Sequence, residues 1–280
     1  MANSGLLAIF AHPDDETFGV GGTMALYASR GIPVTMVCAT RGEVGEIAPG
    51  TDATPETLGH FREQELRDAC TILGVDDVRF LGFRDSGMKG TPENEDPRAF
   101  ASAHPDAVTH LLVKIIRETR PRVIVTWDPS GGYGHPDHIA AYEHATSAYH
   151  AAGDPARFPT AGEPWKADAL YYLALPMAEF MKLDAELRAR GLKSFDAPGG
   201  NEELQQLEHI DHNVVIDVSA QYGQKIQALG THRTQMGEDD LFMQMPDDIR
   251  RRFFSQEYFY RVDPPIAAGQ SLTGLFLDEA

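Results

Sequence analysis

The sequence predicts an α/β protein: a Rossmann-like, three-layer αβα fold with a mainly parallel sheet and a site at the carboxyl ends of its strands. Short apolar runs alternate with helix-patterned stretches over about the first 130 residues, the order that builds βαβ units. The first run, 6–10, is continuously apolar, as a strand is when both its faces are covered. Each run is followed by a polar segment, and ligands bind at that end of such sheets.

Residues 6–10 (Leu-Leu-Ala-Ile-Phe) form the first buried strand. A helix follows up to Arg30, with Met24, Leu26 and Tyr27 at helical spacing and Gly31 as its stop. Residues 34–38 (Val-Thr-Met-Val-Cys) are the second strand. Residues 63–73 read as an amphipathic helix on Leu66, Ala69, Cys70 and Leu73, ended by Gly74. Residues 78–81 are the third strand. Residues 107–119 are the clearest helix: Val108, Leu111, Leu112, Ile115 and Ile116 share one stripe, and Pro121 stands just beyond. Residues 123–127 are the fourth strand. Later, 170–173 and 214–218 read as strands, 178–190 and 220–229 as helices, and 157–164 and 196–200 as loops. We read residues 1–280 as one domain, with 1–150 the core αβ half and 151–280 finishing the sheet and covering one end of it.

Composition narrows the function. The 280 residues carry 24 Lys+Arg against 42 Asp+Glu, a formal net charge of −18 that repels nucleic-acid backbones and anionic lipid surfaces. We expect no nucleic-acid or membrane partner. No apolar run reaches the ~20 residues of a bilayer span, and the N-terminus lacks the basic start and long apolar core of a signal peptide. The only two cysteines, Cys38 and Cys70, sit apart in apolar segments, which fits a reducing cytoplasm. A small-molecule partner is expected, and a homo-oligomer is compatible with the sequence.

The chemistry gathers behind the strands. His12, Asp14, Asp15 and Glu16 follow the first; Arg41 and Glu43 the second; Asp85, in Arg84-Asp85-Ser86-Gly87-Met88, the third; and Asp128 through His138 the fourth. Imidazoles and carboxylates without thiolate suit Zn²⁺ or another divalent first-row metal. Gly19-Val20-Gly21-Gly22 is no dinucleotide fingerprint, because His12 and Pro13 occupy the place of its first glycine. Those glycines instead let the helix pack closely on the sheet.

His12-Pro13-Asp14-Asp15-Glu16, followed about 120 residues later by Gly134-His135-Pro136-Asp137-His138, resembles the PIG-L/LmbE-like family of metal-dependent de-N-acetylases. The resemblance covers much of the first 150 residues. Asp85-Ser86-Gly87-Met88 and Gly131-Gly132-Tyr133-Gly134-His135 place it nearest the branch of the mycothiol-pathway deacetylase and the mycothiol-conjugate amidase. Beyond residue 150 it is chiefly His232-Arg233-Thr234-Gln235 that matches, with no role attached to His232 or Gln235. The resemblance implies that His12, Asp15 and His138 hold the metal, Zn²⁺ or alternatively Fe²⁺, and that three protein ligands leave a position for water. It implies Asp14 as the general base. His135 would serve the oxyanion and the departing amine, with Asp137 orienting its ring and Tyr133 a second donor. Arg62 and Asp85 would bind an amino-sugar substrate.

Structural readings compete with each assignment. Asp14 or Asp15 can cap a helix N-terminus. His138 can be a polar first-turn residue, and His135 with Asp137 a loop-stabilising pair. Arg62 can be a solvated helix arginine paired with Glu65, and Asp85 a turn residue. For the whole protein, the leading function is removal of acetyl from an N-acetylglucosamine-containing small molecule. The alternatives are an amidase of a thiol conjugate or other bulky amide, and a non-catalytic metal- or sugar-binding module.

Overall fold

The computed structural model describes residues 5–192, 210–237 and 240–279. The loop expected at 196–200 lies outside them. In chain order the elements are β1 (Gly5–Phe10), α1 (Asp15–Ser29), β2 (Val34–Cys38), α2 (Leu58–Leu73), β3 (Asp77–Phe80), α3 (Pro105–Thr119), β4 (Pro121–Thr126), the single turn α4 (Gly131–Gly134) and α5 (Pro136–Ala152). There follow β5 (Ala169–Leu173), α6 (Met177–Ala189), β6 (Val214–Asp217), α7 (Tyr222–Leu229), the single turn α8 (Leu241–Gln244), α9 (Asp247–Phe254) and β7 (Gln256–Asp263).

One seven-stranded sheet runs β3-β2-β1-β4-β5-β7-β6. All pairings from β3 to β5 are parallel, and β7 pairs antiparallel with both β5 and β6. The expected mainly parallel α/β fold is therefore present, and the two halves of the chain share its sheet. Helices α1, α2 and α7 pack together, as do α3 and α5, which makes two helical layers. Every residue of β1, β2 and β5 is buried, in keeping with their unbroken apolar or β-branched runs.

The order reverses between β1 and β4, whose connections leave to opposite sides. Their carboxyl ends open the crevice in which such sheets hold ligands. Two glycines bring α1 close to the sheet: a Cβ on Gly19 would lie 2.4 Å from the Leu173 side chain, and one on Gly22 2.6 Å from Val218. This is the close packing that the glycine run predicts.

The sequence reading misses α5, α9 and β7 and the single turns α4 and α8. In α5 the burial falls on many small alanines, so no bulky stripe marks the helix. Helix α9 is short and carries consecutive charges, and β7 mixes charge with aromatics. Helix α2 starts at Leu58, earlier than its apolar spacing indicates. Leu111, assigned to the buried stripe of α3, is 41% exposed.

Candidate active site

The first motif occupies the turn from β1 into α1. Asp14 sits at the helix N-cap with φ 115° and ψ −30°, a conformation L residues rarely adopt, and its side chain makes no capping bond. Capping therefore does not account for it. Its buried neighbour Asp15 folds back instead: Oδ2 accepts from the backbone N–H groups of Ala11 (3.0 Å) and His12 (2.9 Å) and from Trp127 Nε1 (3.3 Å). Those three donors leave Oδ1 facing His138 Nε2 at 3.4 Å.

The second motif begins α5. His135 caps this helix, its Nδ1 accepting from the Asp137 N–H at 3.1 Å, so the ring proton resides on Nε2. His138 lies in the first turn, stacks on Trp127 with centroids 4.1 Å apart, and donates from Nδ1 to the Gly131 carbonyl at 3.0 Å. That bond leaves the Nε2 lone pair of His138 pointing at His12 Nδ1, 3.1 Å away. The carbonyl is delivered by Gly131 at φ 61°, where an added Cβ would come within 2.8 Å of the His138 Cβ. Asp128, buried at the end of β4, ties this turn by accepting from Ser130 Oγ and the Gly132 N–H, each at 2.8 Å.

His12 joins the two motifs. Its Nε2 meets Asp137 Oδ2 at 3.2 Å and Asp85 Oδ1 at 3.5 Å, so that nitrogen is the donor. Its Nδ1 is then an acceptor facing the acceptor of His138. Two opposed lone pairs at 3.1 Å need a proton or a cation between them. Donors about 2.0–2.2 Å from a tetrahedral zinc lie about 3.3–3.6 Å from one another; the His12–His138 and His138–Asp15 separations are close to that range, whereas the His12–Asp15 separation exceeds it. Observed separations are 3.1 Å between His12 and His138, 3.4 Å between His138 and Asp15, and 4.0 Å between His12 and Asp15. Asp15 meets the two imidazoles with different oxygens. The groups clustered within 4.8 Å among the described residues are His12/His135/His138 and His12/Asp85/Asp137, and His12 belongs to both.

Electrostatics follow from burying four aspartates beside three imidazoles. Burial and the neighbouring Asp15 raise the Asp14 carboxyl to about 7, with His232 pulling the other way. Burial, His12 and His138 push His135 down to about 3, and burial with His12 pushes His138 well below the usual histidine value. Burial opposes a charge on His12, but Asp85, Asp137 and Asp15 outweigh it and lift its pKa. Burial likewise works against the Asp85 anion, yet His12 holds it below the usual carboxylate range.

The remaining expected residues divide. Tyr133 reaches the cluster, its ring 4.9 Å from that of His138. Asp137 does not orient the His135 ring as expected. Its carboxylate accepts from His12, Ser86 Oγ, the Ser86 N–H (2.9 Å) and the Ala101 N–H (3.1 Å), and only its backbone touches His135. The geometric reason is that the Asp137 carboxylate points to the loop after β3, where Ser86 anchors it. Arg62 is buried rather than solvated, and donates to the carbonyls of Gly42 and Glu46, both at 2.9 Å, while Glu65 bonds Thr234. Asp85 is indeed also a turn residue, accepting from the Gly87 N–H at 2.9 Å. Glu43 accepts from the N–H groups of Arg41 and Asp85, both at 3.2 Å. Sequence reasoning placed Glu16 behind the first strand but gave it no role; its carboxylate meets His232 at 2.7 Å. Its signal was a charged residue in the fully buried first turn of a helix, beside the motif.

Comparison with known proteins agrees with this geometry. The family model described as PIG-L, GlcNAc-PI de-N-acetylase, matches residues 7–149. A 1D-myo-inositol 2-acetamido-2-deoxy-alpha-D-glucopyranoside deacetylase of Thermomonospora curvata is 39% identical over 97% of this chain and 95% of its own. Among solved structures, an N,N'-diacetylchitobiose deacetylase from Pyrococcus horikoshii superposes with a TM-score of 0.62 at 20% identity, covering 92% of this chain and 84% of that one. GalB, a 4-carboxy-2-hydroxymuconate hydratase from Pseudomonas putida, does so at 0.61 and 16%, covering 96% and 100%. A deacetylase and a hydratase thus share this fold, so these two likenesses speak to fold alone. The family model and the sequence relative go further: the chain belongs to the PIG-L family of de-N-acetylases.

Proposed function

We propose that this protein is a metal-dependent deacetylase that hydrolyses the acetamide of an N-acetylglucosamine-containing small molecule. The inositol glucosaminide named for its sequence relative is the first candidate substrate. The observation that carries the reading is the meeting of His12 and His138 at 3.1 Å, 126 residues apart in sequence, with Asp15 completing the donor set. His12, Asp15 and His138 are the ligands we assign, for zinc or iron(II). When bound, the cation would polarise the acetamide carbonyl and lower the pKa of water beside it.

Asp14 takes the proton of the attacking water. A carboxylate raised to about 7 is matched to that task near neutral pH. His135, neutral and carrying its proton on Nε2, donates a hydrogen bond to the developing oxyanion. A neutral imidazole is a poor full acid. The proton delivered to the departing amine is therefore the one Asp14 accepted, and acetate and the free amine leave. Tyr133 is assigned as a second donor and Asp85 to the sugar hydroxyls. Arg62 serves the substrate indirectly, by holding the loop at 42–46. Asp137 positions His12. The two separated cysteines, Cys38 and Cys70, support a reducing, cytoplasmic setting for the reaction.

Metal analysis with an acetate-release panel over N-acetylglucosaminides and bulkier amides tests this. The expected result is near-stoichiometric zinc or iron, acetate release by the wild type, and loss of metal in His12→Ala. Stoichiometric metal retained in His12→Ala would refute the ligand assignment. Turnover of bulky amides alone would make the protein an amidase, and metal binding without any turnover a binding module.

A further inference from the structure

The segment His232–Gln235 lies far from the motifs in sequence, yet it grips the first motif. Gln235 Nε2 donates to the Pro13 carbonyl at 2.7 Å. On the other edge of the same peptide unit, the Asp14 N–H donates to Glu16 Oε2 at 2.8 Å. Glu16 is fixed in turn through Oε1, which accepts from His232 Nε2 at 2.7 Å and from Thr17 Oγ1 at 2.5 Å. Both polar atoms of the Pro13–Asp14 peptide are thus held. Beyond Asp14, its carbonyl accepts from Thr17 and Phe18 N–H groups at 2.9 and 3.0 Å and so belongs to α1. With the peptide plane before Asp14 and the carbonyl after it both fixed, φ at Asp14 is left no freedom to relax from 115°.

The grip is itself anchored. Thr234 donates from N–H (2.8 Å) and Oγ1 (2.6 Å) to the Glu65 carboxylate on α2, and its carbonyl accepts from the Ala48 N–H at 2.9 Å. Glu16, His232 and Thr234 are all fully or almost fully buried. A rare backbone conformation at a functional turn persists only when its surroundings over-determine it, and here the surroundings are these residues.

We propose that His232, through Glu16, and Gln235, through the Pro13 carbonyl, are positioning residues that hold the Asp14 carboxylate in its working direction. The proposal rests on the reading of Asp14 as general base. It is tested by a double-mutant cycle between Gln235 and Asp14, with N-acetylglucosaminyl-inositol as probe and with metal content and thermal midpoint measured for every variant. Gln235→Glu keeps the size of the side chain and removes the donor, which guards against a variant that merely fails to fold; Gln235→Ala is run beside it.

In the wild-type background either change should lower kcat about 10–100-fold, the usual cost of a misplaced reacting group, with KM and metal per chain unchanged. In the Asp14→Ala background the same changes should cost nothing further, because the group they aim is gone. His232→Gln, which retains a donor for Glu16, should keep more kcat than His232→Leu. Equal losses in both backgrounds, or no loss in the wild type, would overturn the clamp while leaving the base assignment intact. Full activity in Asp14→Ala alone would overturn the base assignment and the clamp with it.

Discussion

Helix α1 is held at two places by buried ion pairs, one between its own Glu16 and His232 and one wholly from the C-terminal half, and the two places differ in how completely they are satisfied. At its first turn Glu16 pairs with His232 at 2.7 Å, but His232 Nδ1 is buried without a hydrogen-bond partner among the described residues, and Asp14 beside it is strained at φ 115°. Further along, Lys225 of α7 and Glu257 of β7 pair at 2.6 Å against the middle of the helix. There Glu257 accepts from the N–H groups of Gly22 and Thr23, both at 2.8 Å, while Lys225 donates to the Phe18 carbonyl at 3.0 Å and faces the Phe254 ring. One pair leaves strain and an unmet donor or acceptor beside the chemistry; the other answers its charges with several partners each. Strain concentrates where a side chain must be aimed, and multiply paired charges where a helix must simply stay put.

That contrast is broken most directly at Asp14. Asp14→Ala should lose about 10²–10⁴-fold in kcat, the usual worth of a general base, while retaining its metal. Asp14→Gly should lose as much activity and yet be more stable than Asp14→Ala by about 1 kcal/mol. Glycine accepts the positive φ, relieving strain of about 1–3 kcal/mol, against about 0.5–1 kcal/mol of added chain entropy. Acetate release and a urea denaturation curve on both variants check this; equal stability would mean the turn is not strained.

The opposite signature belongs to Lys225. Lys225→Met leaves Glu257 buried and unpaired, and should destabilise the fold by about 3–5 kcal/mol. Its kcat per folded molecule should hardly change, since the pair touches the α1 backbone and the Phe254 ring and none of the residues assigned to the reaction. A lowered urea midpoint with wild-type specific activity is the expected result, and loss of activity in the fully folded variant would show that the two regions are not separate. Adding Glu257→Gln should recover part of the stability, because a neutral amide is far cheaper to bury than a lone carboxylate.

Much of the functional rim was legible in the sequence because its residues are contiguous and polar where the pattern calls for a strand end. His12, Asp14, Asp15, His135 and His138 fall in two short strings, the first directly after an apolar run and the second beyond the glycine-rich turn that follows β4. Four of the five parallel strands, β1, β2, β4 and β5, were legible for a related reason: strands buried on both faces are largely apolar, whereas β3, with Asp77 and Arg79, is only half-buried. What stayed hidden was pairing across the sheet. Nothing in Glu16, Lys225, His232 or Glu257 marks them as partners, since an ion pair between residues more than 30 positions apart leaves no local spacing. Asp137 misled for the same reason. Its nearness to His135 in the chain suggested that ring as its target, whereas the fold turns its carboxylate to His12 and Ser86. Strand β7 was hidden by its own job: Glu257 sits buried within it to meet Lys225, and a buried charge erases the apolar alternation that identifies a strand.

Two glycines of α1 sharpen the scaffold side of the contrast at smaller amplitude. At Gly22 an added Cβ would lie 2.6 Å from both Cβ and Cγ2 of Val218 and 3.0 Å from Glu257 Oε1. Val218 is β-branched and stiff, and Glu257 is fixed by its bonds, so Gly22→Ala should cost about 1–3 kcal/mol by overpacking.

At Gly19 the clash is nominally worse, 2.4 Å, but it is with Cδ2 of Leu173, the far end of a flexible side chain. Gly19 and Leu173 both line a cavity of about 420 Å³, so the leucine has somewhere to go. Alanine also recovers about 0.8–1.0 kcal/mol of helix propensity over glycine. These terms nearly cancel, and Gly19→Ala should leave the urea midpoint within about 0.5 kcal/mol of the wild type. A large loss at Gly19 would mean that Leu173 cannot swing into the cavity and that this stretch of α1 is as closely fitted as the one beside Glu257.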